Sequence, residues 1–595
     1  MDSPTTSQSR LVTALKDEVG QYAVGIAALV LTNLCVAGIP YTTKLIFDAL
    51  EAADAGADPE ALPRVASLAG LMVGLAVLMG GFRVVSRVFI FNGGRRVEYR
   101  LRNQIYAHLQ TLGPSFFGRM PIGDLVSRIT NDITAVRLLG GPGILNLANT
   151  ALVYASAVTP MMILSPSLTM WALAPLVGVF AGTRAVGPRI YERSYRAQQD
   201  LSRVTALANE SITGIGVVHA YHREEQRQAL FAEASAEYRE SYLGFILFRS
   251  VLMPILAGMG GLGTLTILYF GGQAVIAGTL SLGDFVAFLG YLAMLMWPTV
   301  ALGWMVAMWQ RGRSAMDRLG EILDAEPDVV SGSAEIGDLH GAIEFRGLSF
   351  AYPNAADEEV LHDVSLRIEP GEQVLIVGPS GSGKSTLVSL LPRLADVAPG
   401  SVLIDGADIR DLPLATLRRR IAFVPQETFL FSLTVAENVA FGVDGPSLEA
   451  VQRAAALASM TGDIARFPDG FETLVGERGV TLSGGQRQRM TIARAAMLEP
   501  AVWVFDDCLS SVDAGTEQRI LRNLRTMTTR ATALFVSHRL LGFEDVDRVV
   551  VLQDGRITEQ GTHQELVSAG GWYERLYRRQ KLDDELTGQP LEETA

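Results

Sequence analysis

Apolar residues are spread unevenly along the 595-residue chain. Over the first 320 residues they gather into long runs. Read with a window of roughly 20 residues, these give six candidate spans near 22–47, 65–91, 140–164, 167–187, 244–275 and 282–311. Only Ser165-Pro166-Ser167 separates the third from the fourth, which predicts a tight turn. From Ala342 the pattern changes to short apolar strands alternating with helical segments, as in one compact α/β domain. The expected layout is a membrane α-helical bundle with two long cytoplasmic loops over 1–320 and a polar linker over 321–340. An α/β domain over 341–580 and an acidic tail over 581–595 complete it.

Charge orients the spans. Arg95, Arg96, Arg100, Arg102, Arg119, Arg128 and Arg137 fill the second-to-third connection. Arg189, Arg193, Arg196, Arg203, Arg223, Arg227 and Arg239 fill the fourth-to-fifth. The short connections carry Arg64 alone, beside Glu51, Asp54, Asp58 and Glu60. The positive-inside rule therefore predicts that both long connections, both termini and the α/β domain are cytoplasmic. Lys44, Asp48 and Asp284 belong at the outer interface, and Arg83, Arg87, Arg184 and Arg249 at the inner one, where long side chains snorkel to headgroups. No carboxylate falls at mid-membrane depth, which argues against a proton-coupled carrier. Met294, Met296, Met305 and Met308, with Trp297, Trp304 and Trp309, suit a plastic apolar cavity, and equally a lipid-facing or packed surface.

Composition adds three exclusions. A net charge of −13 with no basic stripe argues against a nucleic-acid partner. Cys35 and Cys508 lie in different halves, so neither a disulfide framework nor a cysteine metal cluster is implied. Met1 to Gln21 is polar, so the first apolar run is expected to remain in the mature protein. Only four of the 50 basic residues are lysine (Lys16, Lys44, Lys384, Lys581), a bias matching a GC-rich bacterial genome.

The chemistry sits in the second half. Gly378-Pro379-Ser380-Gly381-Ser382-Gly383-Lys384-Ser385-Thr386 matches the phosphate-binding loop G-x-x-x-x-G-K-[ST] at every position, between the apolar run 373–377 and a helix-compatible segment. Its glycines let backbone N–H groups wrap phosphates, Lys384 would reach the β- and γ-phosphates, and the Ser385 hydroxyl would ligate Mg²⁺. This predicts binding of a nucleoside triphosphate. Ala501 to Asp506 reads as an apolar strand ending in a carboxylate, placed to complete the Mg²⁺ shell. Leu482-Ser483-Gly484-Gly485-Gln486 opens a second helix and offers a second anion site. A dimer in which each such loop covers the other subunit's nucleotide accounts for it.

With these motifs the whole chain, over roughly 15–580, resembles a half-transporter of the ABC exporter family. That resemblance implies ATP and Mg²⁺ as cofactors and a second half-transporter as partner. It makes Tyr352 the adenine-stacking aromatic, and Gln426 the glutamine that touches Mg²⁺ or water. Ser483, Gly484, Gly485 and Gln486 become the signature loop, Asp513 part of the D-loop 510–513, and His538 the switch histidine on the γ-phosphate. Val475 to Gly479 corresponds to the exporter cross-talk loop. Phe116-Phe117 with Gly123 to Arg128 resembles the first coupling helix, and Glu210 to Ile215 the region of the second.

One position departs from the family. After Asp506 these ATPases carry a glutamate that orients the attacking water; this chain has Asp507. Aspartate keeps the charge but ends about 1.5 Å short, and a misplacement of that size can cost on the order of 10²-fold. The pattern resembles the degenerate subunit of heterodimeric multidrug-type exporters, whose slow site this chain's Walker motifs would build. Its own signature loop would then complete the fast site of a partner that keeps the glutamate. The resemblance implies export of an apolar or amphipathic small molecule or a lipid across the bacterial inner membrane. A homodimeric exporter and an exporter-fold siderophore importer stay open as alternatives.

Overall fold

The computed structural model describes residues 13–54, 61–334, 337–352, 358–476, 482–498, 500–509, 514–528 and 531–587. The chain divides into two compact units. One contains residues through Leu109 and Gly123–Asp324, the other Gln110–Ile122 and Ala325 onward.

The first unit is built on long helices: α1 (Val19–Asp54), α2 (Ala61–Leu109), α3 (Ile144–Leu164), α4 (Pro166–Thr213), α5 (Glu224–Thr266) and α6 (Leu282–Leu323). Among the described residues four stretches are long and apolar enough to cross a membrane, namely Val19–Ala53, Leu62–Leu109, Ile122–Leu164 and Leu282–Leu323; Gly260–Ile276 is a shorter apolar helix. The turn at residue 165 is present. Ser165 leaves helical geometry (φ −159°, ψ 104°), its hydroxyl accepts from Leu168 N, and Pro166 opens α4. Proline at the first helical position loses no hydrogen bond and has φ preset.

The arginine-rich connections are not loops. α2 continues unbroken to Leu109, and α4 and α5 carry the fourth-to-fifth connection almost entirely as helix. The third span is likewise helical back to Ile122, with wide turns at Arg128–Asp132 and at Leu139–Gly143, where Pro142 cannot donate. Several arginines meet carboxylates in the same unit. Arg100 binds Asp17 and Glu18 at 2.9 and 2.6 Å, Arg128 binds Glu321 at 2.5 Å, and Arg318 binds Asp132 through Nε at 2.9 Å.

At the opposite ends of α1 and α6, Lys44, Asp48 and Asp284 come together. Lys44 Nζ lies 2.6 Å from Asp284, and Ser281 Oγ donates to Asp48 at 2.8 Å. Gly283 allows this contact, because a Cβ there would sit 2.5 Å from Lys44 O and collide with the Asp48 carboxylate. We expect Gly283→Val to destabilise the α1–α6 pair by about 1–3 kcal/mol, the usual cost of overpacking. A lowered unfolding midpoint of the purified full-length protein checks this; an unchanged midpoint would refute the close contact.

In the second unit β3 (Gln373–Val377), β6 (Ile421–Val424), β7 (Val502–Asp506), β8 (Thr532–Val536), β9 (Arg548–Gln553) and β10 (Arg556–Gly561) form a six-stranded sheet. Its order is β10-β9-β3-β8-β7-β6. All neighbours are parallel except β10 on β9. Burial on both faces explains the unbroken apolar strands. Leu375 and Val377 enter one core and Val374 and Ile376 the other, all with no exposed surface. A second sheet of order β2-β1-β4-β5 comprises β1 (Ile343–Ala351), β2 (Glu359–Ile368), β4 (Val402–Ile404) and β5 (Ala407–Asp408).

Two boundaries differ from the reading of the pattern. The stretch read as a linker is held against this unit, with Gly332 N donating to Leu412 O at 3.1 Å and Ala334 N to Asp411 O at 2.9 Å. The last helix, Trp572–Thr587, runs into the stretch read as a tail.

Candidate nucleotide site

Four sequence motifs leave the carboxyl ends of four adjacent parallel strands. Gly378–Thr386 follows β3, His538 follows β8, Asp506 and Asp507 end β7, and Gln426 lies just past β6. In open parallel sheets this edge is where ligands bind. Residues more than 150 positions apart therefore share one site because of strand order, not proximity in the chain.

The phosphate-loop backbone is one that glycine permits. Gly381 and Gly383 have φ of +82° and +95°, and a Cβ on Gly383 would lie 2.8 Å from Leu361. The helix α7 (Lys384–Ser389) starts directly after Gly383, so its free N–H groups open toward the loop. Lys384 is buried, and its ammonium donates to Gly378 O at 3.0 Å and Pro379 O at 2.7 Å. Burial lowers its pKa below the ordinary lysine value, with Asp507 and Asp506 opposing.

Ser385 Oγ donates to Asp506 Oδ1 at 2.8 Å, across 121 positions of sequence. A hydroxyl and a carboxylate side by side are the oxygen donors a hard cation takes. Among the described residues no three His, Cys, Asp or Glu side chains cluster to hold a metal on protein ligands alone. Burial raises the pKa of both Asp506 and Asp507 above the usual aspartate range.

Asp507 is fixed by its backbone. Its N–H donates to Val536 O at 2.9 Å, its φ is +41°, and its Oδ2 lies 3.5 Å from Gln426 Nε2. A non-glycine residue at positive φ is held there by its surroundings. The backbone thus has little freedom to bring the shorter carboxylate forward.

Tyr352 is 41% exposed, packs edge-on against Phe350 at 5.0 Å, and its hydroxyl hydrogen-bonds Thr386 Oγ1 at 3.1 Å. His538 is exposed at the strand end. Gln580 Nε2 donates to His538 O and its Oε1 accepts from Leu540 N, each at 2.8 Å, while Arg539 Nη1 donates to Glu517 at 2.7 Å. Neither Gln580 nor Glu517 carries a short-range motif that would have singled it out.

The second candidate anion loop is well formed. Ser483 caps α8 (Gly484–Ala496) in a reciprocal box: its Oγ accepts from Gln486 N at 3.2 Å and Gln486 Oε1 accepts from Ser483 N at 3.0 Å. Gln486 Nε2 donates to Asp463 at 3.1 Å. The Gln486 side chain is thus engaged by the cap, and the N–H groups of Gly484 and Gly485, in the first turn of α8, have no carbonyl partner four residues back within the helix. Asp513 with its loop 510–513, and 477–479 of the cross-talk segment, lie outside the described residues.

Comparison with known proteins places these motifs in a family. Residues 22–299 match the ABC transporter transmembrane region and 361–510 the ABC transporter family. The chain is 35% identical over 566 residues to a probable multidrug resistance ABC transporter ATP-binding/permease protein, YheI, of Bacillus subtilis, covering 94% of this chain and 95% of that protein. An ATP-dependent lipid A-core flippase of Syntrophus aciditrophicus is 32% identical, with 97% and 95% covered. A bacterial Atm1-family ABC exporter, solved with ATP bound, superposes with a TM-score of 0.80 at 28% identity, over 94% of this chain and 99% of that one. The described geometry and these matches lead to one conclusion: the chain is an integral-membrane half-transporter of the ABC exporter family, with an ATPase domain that couples ATP hydrolysis to transport.

Proposed function

We propose that this chain pairs with a non-identical half-transporter and exports an apolar or amphipathic compound, its own Walker motifs forming the slow ATP site. The carrying observation is Asp507. An aspartate held by its backbone at positive φ, where the family places glutamate, stops short of an in-line water. The general-base contribution at stake is roughly 10²–10⁴ in rate. The cargo class is supported by relatives named for multidrug resistance and for lipid A-core flipping.

In this reading Gly378–Thr386 wraps the phosphates, Lys384 neutralises the β/γ oxygens, and Tyr352 stacks on adenine. Ser385, Asp506 and Gln426 would hold Mg²⁺, which offsets charge on the transferring phosphoryl group. Asp507 orients water, and His538 touches the γ-phosphate. Ser483 to Gln486 faces the partner's nucleotide, and Asp513 of the D-loop is counted among the nucleotide-binding residues by resemblance to the family. Both termini and the ATPase domain are cytoplasmic, as the arginine distribution requires.

Affinity purification of the tagged chain from its native membrane, with mass spectrometry of what accompanies it, tests the pairing. A stoichiometric second half-transporter with glutamate after its Walker B aspartate is expected. Recovery of this chain alone as a fully active exporter would overturn the proposal. Lys384→Ala should cost this subunit at least tenfold in labelling by a photoreactive ATP analogue, given charge-assisted bonds of about 1.5–3 kcal/mol. Undiminished labelling would remove Lys384 from the site.

A further inference from the structure

The switch segment Ser537–Leu540 is gripped by two elements that no motif identifies. On one side the amide of Gln580, in the helix α10 (Trp572–Thr587), bonds both backbone groups flanking Arg539. It donates to His538 O and accepts from Leu540 N, each at 2.8 Å. On the other side Glu517, in the first turn of α9 (Ala514–Thr528), is 6% exposed and accepts from Arg539 Nη1 at 2.7 Å. Arg539 N is also bonded to Ser537 Oγ at 3.0 Å. The imidazole of His538 stays exposed while the backbone on either side of it is fixed.

We infer that Gln580 is a positioning residue for ATP cleavage, clamping the backbone of the switch so that His538 is held toward the γ-phosphate. This rests on the proposed role of His538. A side-chain amide that satisfies one carbonyl and one N–H two residues apart acts as a one-residue strand, and it resists displacement along the loop better than a single bond. Glu517 prevents rotation of the loop from the other face through Arg539. The helix α10 thereby joins the active site through the backbone of the switch. Alignment errors near 1 Å can cost on the order of 10²-fold, so a clamp on backbone alone can govern rate.

The test uses the full-length transporter in nanodiscs with its partner, and Gln580→Leu, which keeps size and loses both bonds. Cleavage at this chain's own site is read as the ratio of γ- to α-phosphate label retained after photo-crosslinking azido-ATP to this chain. Hydrogen exchange of the 536–543 peptide reads the clamp directly. The expected result is faster exchange and a drop of roughly tenfold to a hundredfold in own-site cleavage. Analogue binding should stay within about twofold of the parent, and no further loss should appear in a His538→Ala background. Unchanged cleavage despite faster exchange overturns the inference, as does an equal further loss in the His538→Ala background. Should the leucine variant fail to fold, Gln580→Glu keeps the acceptor for Leu540 and opposes His538 O with a carboxylate. It should slow own-site cleavage, and unchanged cleavage there overturns the inference too. Because the label is read on this chain, the outcome does not depend on the proposed pairing. Total turnover falls only if the chain is a homodimer.

Discussion

Asp507→Ala leaves most ATP turnover by the assembled transporter intact, whereas alanine at the partner's corresponding glutamate removes nearly all of it. The reason is the division of labour proposed for the two sites. A general base contributes roughly 10²–10⁴ in rate, and at this chain's site much of that is already forfeited by a carboxylate that is one methylene short. Removing it subtracts little from a total set by the other site. In a homodimer the same substitution stops turnover, because both sites depend on Asp507 and no glutamate stands in reserve. Asp507→Glu then separates the two again, accelerating a homodimer and barely changing the total in a heterodimer. Steady-state hydrolysis by the reconstituted complex and by the purified chain alone decides it. Robust transport by this chain alone would sink the heterodimer reading.

Ser483→Arg should act across the subunit boundary. The Ser483 hydroxyl accepts from Gln486 N and anchors the box that opens α8. Losing such a cap costs about 1 kcal/mol locally. The greater effect comes from a bulky cation where Gly484 and Gly485 would present N–H groups to the partner's γ-phosphate. Removing a positioned anion-stabilising donor typically costs 10²–10³ in rate, and a loss of about that size is expected at the partner's site. ATP labelling of this chain's own site should be little changed. Full ATPase activity in the mutant complex would show that the loop does not complete the partner's site.

Much of the site was legible because its parts are local. A phosphate loop, a strand ending in carboxylate and a capped helix are each written within ten residues, and their chemistry follows from spacing. The membrane runs were legible for the same reason, since hydropathy is a local sum. What escaped is set by contacts distant in sequence. The strand order that sets β8 between β3 and β7, and with it the direct Ser385–Asp506 hydrogen bond, is not written in either motif, although the motifs' chemistry already puts the two residues in one site. Hydropathy falls in the arginine-rich connections, which makes them read as loops, yet α2, α4 and α5 continue as helix, their charges facing water or partners such as Glu18 and Glu237. The Gln486 side chain bonds Ser483 N and Asp463, pairings that its place in the signature loop does not indicate. No window of sequence around Gln580 indicates that it bonds residue 538.

The ATPase unit is discontinuous along the chain: Gln110–Ile122 belongs to it, Gly113 lying against Asp328 and Phe116 buried. During synthesis those thirteen residues leave the ribosome about 200 residues ahead of the rest of their unit, a wait of roughly 10–40 s at 5–20 residues per second. For that interval the later partner of the segment, Asp328 beside Gly113, is not yet made. The nascent chain must shelter Phe116 and Phe117 while α3 to α6 are still being made. Folding of this transporter is therefore exposed to a timing hazard that a separately encoded ATPase subunit would not meet, and slowed elongation past residue 122 would lengthen it.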